Sequence, residues 1–256
     1  MQIVDTHTHI YLEQFKEDLP EVIRRAQGMG VAHFCLPNID TDSVAGIQQL
    51  CQDYPGMMHP MWGIHPCSVD QNWRKQWEEM LPLFDTPGTI AVGEIGIDLY
   101  WDKQYINEQK EALKEQCLYA IERDLPVAIH VREAFPELFE VFDGLDTSKL
   151  KGVFHCFSGD SAIIEKAKSY PHFFFGIGGV VTFKNGGLNK VLHEIPTSRM
   201  ILETDAPYLA PKPYRGKRNE PSYLVYILEE MERILGIATA QLAEETTANA
   251  HQLFKL

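Results

Sequence analysis

Apolar, β-branched and aromatic residues gather in eight short runs along the chain, at 3–6, 31–36, 58–64, 90–95, 127–131, 153–157, 173–177 and 200–204. Between them lie segments with apolar positions at helical spacing, such as 19–27, 42–54, 73–84, 104–123 and 161–170. Near-continuous apolar strands suit a parallel sheet buried on both faces, and the intervening helices supply its cover. Eight such units in a chain of 256 residues predict a closed (β/α)8 TIM barrel, an α/β single domain spanning 1–256, rather than an open doubly wound sheet. The seventh helix is the weakest, because Lys184-Asn185-Gly186-Gly187 delays its start. After the eighth strand, a polar loop at 211–221 leads to two more helical segments, 222–235 and 238–254.

Composition narrows the setting. No apolar run approaches the ~20 residues that a membrane-spanning helix needs. Strand residues begin at Gln2, so no signal peptide is expected. The five cysteines (Cys35, Cys51, Cys67, Cys117, Cys156) are odd in number and lack a CxxC pair, so they are expected to be packing residues in a reducing cytoplasm. A net charge of −13 argues against a broad basic face gripping duplex DNA. A local basic segment, Lys212, Arg215, Lys217 and Arg218, can still receive a phosphate-bearing end.

Placing the titratable residues on the barrel brings out a candidate site. His7 and His9 end the first strand with Asp5 below them, Asn38 follows the second, His65 the third, and Glu94 sits late in the fourth. His130 and His155 lie late in the fifth and sixth strands, and Asp205 ends the eighth. In a TIM barrel the C-terminal strand ends converge on the active-site mouth, so these distant positions become neighbours. Strand alternation puts Ile201, Glu203 and Asp205 on one face, likewise Ala128, His130 and Arg132, and likewise Val153, His155 and Phe157. Buried carboxylates in such a cluster require cations. Four histidines and two carboxylates exceed the needs of one tetrahedral ion but suit two, ~3.5–4 Å apart, sharing a bridging carboxylate and a water.

These residues fall in motifs. Asp5-Thr6-His7-Thr8-His9, Gly63-Ile64-His65-Pro66, Gly93-Glu94-Ile95-Gly96-Ile97-Asp98, Ala128-Ile129-His130-Val131-Arg132, Phe154-His155-Cys156-Phe157-Ser158-Gly159 and Leu202-Glu203-Thr204-Asp205-Ala206-Pro207 resemble, in order and end to end, the TatD family of metal-dependent deoxyribonucleases within the amidohydrolase superfamily. The loop at 211–221 and the closing stretch 249–254 are similar too. Thr8 and Ala206 stand where Cys and Ser are frequent, and neither change removes a ligand. The resemblance implies that His7, His9 and Asp205 hold one divalent cation, that His130 and His155 hold a second, and that Glu94 bridges them in place of the carboxylated lysine of other binuclear members. Mg, Zn, Mn, Co and Ni all remain open as the ion. It also implies hydrolysis of phosphodiesters, releasing nucleotides from a single-stranded or frayed DNA end.

On this reading Asp205 is the general base. Glu203 is either a second proton acceptor or a carboxylate bonded to a histidine N–H. His65 is expected to bond the scissile phosphate or assist the leaving group; the alternative is a structural histidine before Pro66. Arg132 joins the basic segment as a phosphate contact, its planar fork matching phosphate oxygens. Tyr100-Trp101 would be a hydrophobic lid before a base-stacking surface, and Gly176-Ile177-Gly178-Gly179 lacks P-loop spacing, marking close backbone approach instead. The same metal site could act on another ester, such as an aminoacyl-tRNA, a small phosphoester or a lactone, since fold does not choose substrate. A non-catalytic scaffold would have lost a ligand, and none is missing. No obligate protein partner is expected.

Overall fold

The computed structural model describes residues 2–101 and 103–256. Eight strands, β1 (Ile3–Asp5), β2 (Val31–Pro37), β3 (Met58–Trp62), β4 (Ala91–Asp98), β5 (Val127–Arg132), β6 (Gly152–Phe154), β7 (Phe173–Ile177) and β8 (Met200–Leu202), pair in sequence order, each parallel to the next. The sheet closes into a (β/α)8 barrel just beyond the ends of β1 and β8. Thr6 N–H donates to the Leu202 carbonyl at 3.0 Å, Asp205 N–H to His7 O at 2.9 Å, and His9 N–H to Ala206 O at 2.8 Å. These closing bonds carry three of the site residues.

The barrel interior holds one apolar side chain from each strand: Val4, Cys35, Met61, Ala91, Ala128, Val153, Phe174 and Ile201. Its N-terminal end is stopped by Ala250, Leu253 and Phe254 from the last helix, α9 (Thr239–Phe254). Asn249 fastens that plug by donating to the Thr197 and Met200 carbonyls, both at 2.8 Å. Strand residues of opposite parity, such as Phe34, Leu36, Ile129, Phe154, Phe175 and Leu202, pack outward against the helices. Those helices are α1 (Leu19–Gly28), α2 (Val44–Asp53), α3 (Trp73–Met80), α4 (Ile106–Glu122), α5 (Phe135–Asp143), α6 (Ser161–Lys168), α7 (Leu188–Val191) and α8 (Leu224–Leu235). The four residues of α7 match the late, weak helix expected there, whereas α5 lies outside the helical stretches named above. Among the described residues no helix is long and apolar enough to cross a membrane.

Two strands depart from the expected pattern, and both departures shape the site. β4 continues to Asp98, because Ile95, Gly96, Ile97 and Asp98 pair with Ile129, His130, Val131 and Arg132. Glu94 is therefore central in β4 rather than late. Gly96 has φ +151°, and a Cβ there would sit 1.9 Å from the His130 carbonyl oxygen, so only glycine permits this approach. The β4–β5 register also shifts between Val92 and Ile95. Val92 and Ile95 both join the outer core, which strict alternation forbids, and the extra residue turns Glu94 inward. In β6 the strand ends at Phe154, and Cys156 adopts φ 45°, which breaks the alternation. Val153 and His155 face inward as expected, but Phe157 packs outward against Phe135 and Phe175.

Candidate metal centre

At the C-terminal mouth, Glu94 stands at the centre of a histidine cluster while being only 2% exposed. Its Oε2 lies 3.0 Å from His7 Nε2 and 3.5 Å from His9 Nε2. Its Oε1 lies 2.9 Å from His130 Nδ1, 3.6 Å from His65 Nε2 and 3.7 Å from His155 Nε2. One carboxylate thus turns its two oxygens to two different sets of imidazoles. Asp205, held by the closing bonds and by its φ of 57°, places Oδ1 3.4 Å from His9 Nε2, 3.8 Å from His155 Nε2 and 4.0 Å from His7 Nε2. All six residues expected as ligands meet here.

A further ring of groups aims these imidazoles. The Tyr11 hydroxyl donates its single proton to the Pro37 carbonyl at 2.6 Å, so at 2.7 Å it must accept from His9 Nδ1–H, leaving His9 Nε2 to face the centre. Glu203, fully buried, sets Oε1 3.1 Å from His155 Nδ1 and accepts from the Cys156 backbone N–H. Gly176 makes room for it: a Cβ there would meet Glu203 Oε2 at 2.3 Å, the close backbone approach expected of the glycine run. Of the two roles left open for Glu203, the geometry favours the histidine partner. Asp98 lies 2.9 Å from His130 Nε2, so His130 spans Asp98 and Glu94. Asp5 does not approach the cluster's centre; it braces the barrel seam by accepting from Thr204 N–H at 2.9 Å and Thr204 Oγ1 at 2.6 Å.

Sequence reasoning assigned no role to Asp98, Tyr11 or Asn219. Asn219 donates to the Thr204 and Tyr208 carbonyls, both at 2.7 Å, pinning the segment that carries Asp205. Asp98 could have been found by parity from Glu94 had β4 been read to its full length. Tyr11 and Asn219 lie in loops, where period carries no signal. Asn38 does not reach the centre either: its amide donates to the Gly63 carbonyl at 2.8 Å and accepts from Ser43, supporting β2 and β3.

The charge state follows from this geometry. Burial raises the energy of the Glu94 carboxylate, but the surrounding His7, His65, His155 and His130 hold it well below the usual range. Burial likewise opposes charge on His9 and His130, yet bonds to Asp205 and Glu94 in one case, and to Asp98 and Glu94 in the other, push both up to about 9. His7 is held low, by burial and then by His155, whose ring stacks on it with centroids 3.4 Å apart. A buried carboxylate without a compensating charge costs several kcal/mol. In this cluster protons on histidine supply the charge, and divalent cations would replace them. His65, like His7, is held low. Its Nδ1 accepts from Cys67 N–H at 3.0 Å, and burial drives it down to about 3, so it is a neutral ring whose proton sits on Nε2.

Three-residue sets with ligand atoms mutually within 4.8 Å are His7, His9 and Glu94; His65, Glu94 and His130; His155, Cys156 and Asp205; and His7, His155 and Glu203. His/carboxylate sets of this kind fit a divalent metal, with imidazole and carboxylate both borderline-to-hard donors. The open cavity above them, about 730 Å³, is lined by His9, His65, Glu94, His130, His155 and Asp205, together with Arg132, Trp101 and Tyr208.

The basic segment is placed differently. Arg132 is the single lysine or arginine among the described cavity-lining residues. Arg218 is taken up by Asp18, through two bonds of 2.8 and 2.7 Å, and by the Gln14 carbonyl, so it anchors the loop rather than presenting a free fork. Arg215 lies 3.7 Å over the Phe183 ring, and Lys212 and Lys217 are exposed outside the cavity lining.

Fold and mouth together have the form of a metal-dependent hydrolase. A family model described as TatD related DNase matches residues 4–255. The chain is 34% identical over 260 residues to the uncharacterized metal-dependent hydrolase YabD of Bacillus subtilis (strain 168), with 99% of each covered. It is 34% identical over 259 residues to the 3'-5' ssDNA/RNA exonuclease TatD of Citrobacter rodentium (strain ICC168), covering 98% of this chain and 97% of that one. The crystal structure of YJJV, a TatD homolog from Escherichia coli K12, superposes with a TM-score of 0.90 at 26% identity, covering 99% of this chain and 98% of that one. The chain belongs to the TatD family of metal-dependent hydrolases.

Proposed function

We propose that this protein hydrolyses phosphodiester bonds at single-stranded or frayed nucleic-acid ends, DNA foremost, with divalent cations that His7, His9, Glu94, His130, His155 and Asp205 would hold. The observation that carries the reading is the division of Glu94: Oε2 faces His7 and His9, while Oε1 faces His130 and His155. Asp205 completes the first set. Its similarity to a relative named as a 3'-5' ssDNA/RNA exonuclease supports the substrate class.

Bound in this cluster, divalent cations supply Lewis acidity, acidifying a water and offsetting charge on the phosphate. Asp205, half inside the cluster and half in the cavity, accepts the water's proton. His65 is unsuited to ligation through Nε2, since that nitrogen carries the proton while Nδ1 is engaged by Cys67 N–H. It serves instead as a neutral donor to a phosphate or leaving-group oxygen. Glu203 and Tyr11 hold His155 and His9 in the orientation that points Nε2 inward. Arg132, at the cavity wall, neutralises and orients the phosphate.

The test is chelation, reconstitution ion by ion, and assay against single-stranded DNA, duplex DNA, RNA and small esters in one panel. Metal-restored hydrolysis of single-stranded DNA that weakens as salt rises is expected, because phosphate contacts release counterions. Hydrolysis of a neutral ester, with every nucleic acid left intact under every ion, would overturn the reading.

A further inference from the structure

Beside the main cavity lies a smaller chamber of about 270 Å³, walled by Pro66, Cys67, Ser68, Asp98, Trp101 and Tyr105 among others. Cys67, Asp98 and Trp101 line both spaces, so the chamber opens at the edge of the metal centre. Asp98 is the carboxylate that meets His130, which puts this boundary within one side chain of the cluster.

The surface around it is unusual in its apolar exposure. Among the described residues the exposed large hydrophobic side chains are Met29, Tyr100, Trp101, Leu118 and Tyr208. The three aromatic ones stand together at this mouth: Trp101 and Tyr208 in the cavity lining, and Tyr100 against Arg132. Trp101 is the extreme case at 71% exposed. The Arg132 guanidinium sits 3.6 Å over the Tyr100 ring and 5.5 Å from the Trp101 ring, which holds a cation between the aromatic rim and the metal centre. A nucleotide presents the complementary pair, an anion and a flat π-face a short distance away. Such stacking surfaces beside a cation are how proteins take up unpaired strands without reading sequence.

We infer that the chamber beside Trp101 is a nucleobase subsite: the unpaired base next to the scissile phosphate enters it and stacks on the Trp101 indole, while Arg132 takes the phosphate. The inference deepens the nuclease reading and rests on it. Preference for single strands follows, since a base still paired and stacked in a duplex must first be unpaired and unstacked before it can turn into a side chamber.

The experiment uses the full-length, metal-reconstituted protein and two oligonucleotides, one with all its bases and one abasic at both terminal nucleotides. The wild type is expected to favour the first in kcat/KM by roughly 5- to 150-fold, the range that base–aromatic stacking supports. Trp101→Ala is expected to abolish that preference and Trp101→Phe to keep most of it; because Trp101 is exposed, neither change removes core packing. Equal treatment of both oligonucleotides by the wild type, or a full preference retained in Trp101→Ala, overturns the subsite while leaving the nuclease reading in place. A wild type that cleaves neither oligonucleotide with any ion overturns the nuclease reading, and the subsite falls with it.

Discussion

The two ends of this barrel each gather histidines, and they treat them in opposite ways. At the floor, His33 of β2 and His59 of β3 approach at 2.9 Å, and the His251 ring of α9 lies 5.7 Å from that of His33 at 85°. No aspartate or glutamate side chain of the described residues bonds to any of the three; His251 Nδ1 lies 3.0 Å from the Leu256 O at the chain end. Burial, with the neighbouring imidazoles, pushes His59 down to about 4, and burial with His251 lowers His33. At the mouth Glu94, Asp98 and Asp205 lie among the rings, and despite deeper burial His9 and His130 are pushed up to about 9. The difference teaches that crowding imidazoles does not by itself make a cation site. Interleaved carboxylates do, because they make positive charge favourable at a place where solvent cannot supply it.

The strongest way to break this contrast is to remove the central carboxylate. In Glu94→Ala, metal-dependent turnover is expected to drop by orders of magnitude while far-ultraviolet circular dichroism shows an intact barrel. Wild-type turnover in the purified, metal-reconstituted variant would show that Glu94 is not needed to hold the metal. The next largest effect falls on the carboxylates behind the ligands. Glu203→Gln and Asp98→Asn are each expected to weaken metal binding about 10–100-fold by competition with a chelating dye. Unchanged affinity would show that the outer carboxylates do not tune their histidines.

Within the mouth, Arg132→Ala is expected to raise KM for oligonucleotides more than the double change Arg215→Ala with Lys217→Ala, since Arg132 alone of these lines the cavity. A larger effect from the double variant would return strand binding to the loop at 211–221. The smallest effect belongs to the floor. His59 titrates near 6.5 when unfolded and about 4 when folded, so the folded state gains no proton as pH falls through that window while the unfolded state does. Stability is therefore full above pH 6.5 and declines toward pH 4. Thermal melts of the metal-free protein should show this decline reduced in His59→Gln, and identical pH profiles would refute the floor's neutral state.

Much of this protein is legible in its sequence. Apolar runs such as 173–177 and 127–131 are short, β-branched or aromatic, and alternate with helical stretches, because a parallel sheet covered on its outer face by helices leaves no other pattern. That arrangement forces strand ends together, so His7, His9, His130, His155 and Asp205 could be assigned to one mouth from position along the strands. The glycine run at 176–179 is readable too: a missing Cβ marks a close approach, by Glu203 at Gly176 and by the Leu209 carbonyl at Gly179.

What alternation could not supply was every point where the period fails. Counting from Val92 turns Glu94 toward the helices; the register shift in β4 turns it to the centre instead. Counting from Val153 turns Phe157 inward; the positive φ of Cys156 sends it out. Arg218 belongs to a basic run in the sequence, yet Asp18, 200 residues away, takes it from any phosphate. The sequence by itself determined the barrel and the gathering of His7, His9, Glu94, His130, His155 and Asp205 at its mouth, because periodicity is local and strand ends must converge. Only the tertiary structure decided which way Glu94 faces, which nitrogen of each histidine is offered, and which cation is left free, because each depends on a partner that the chain reaches only once it has folded.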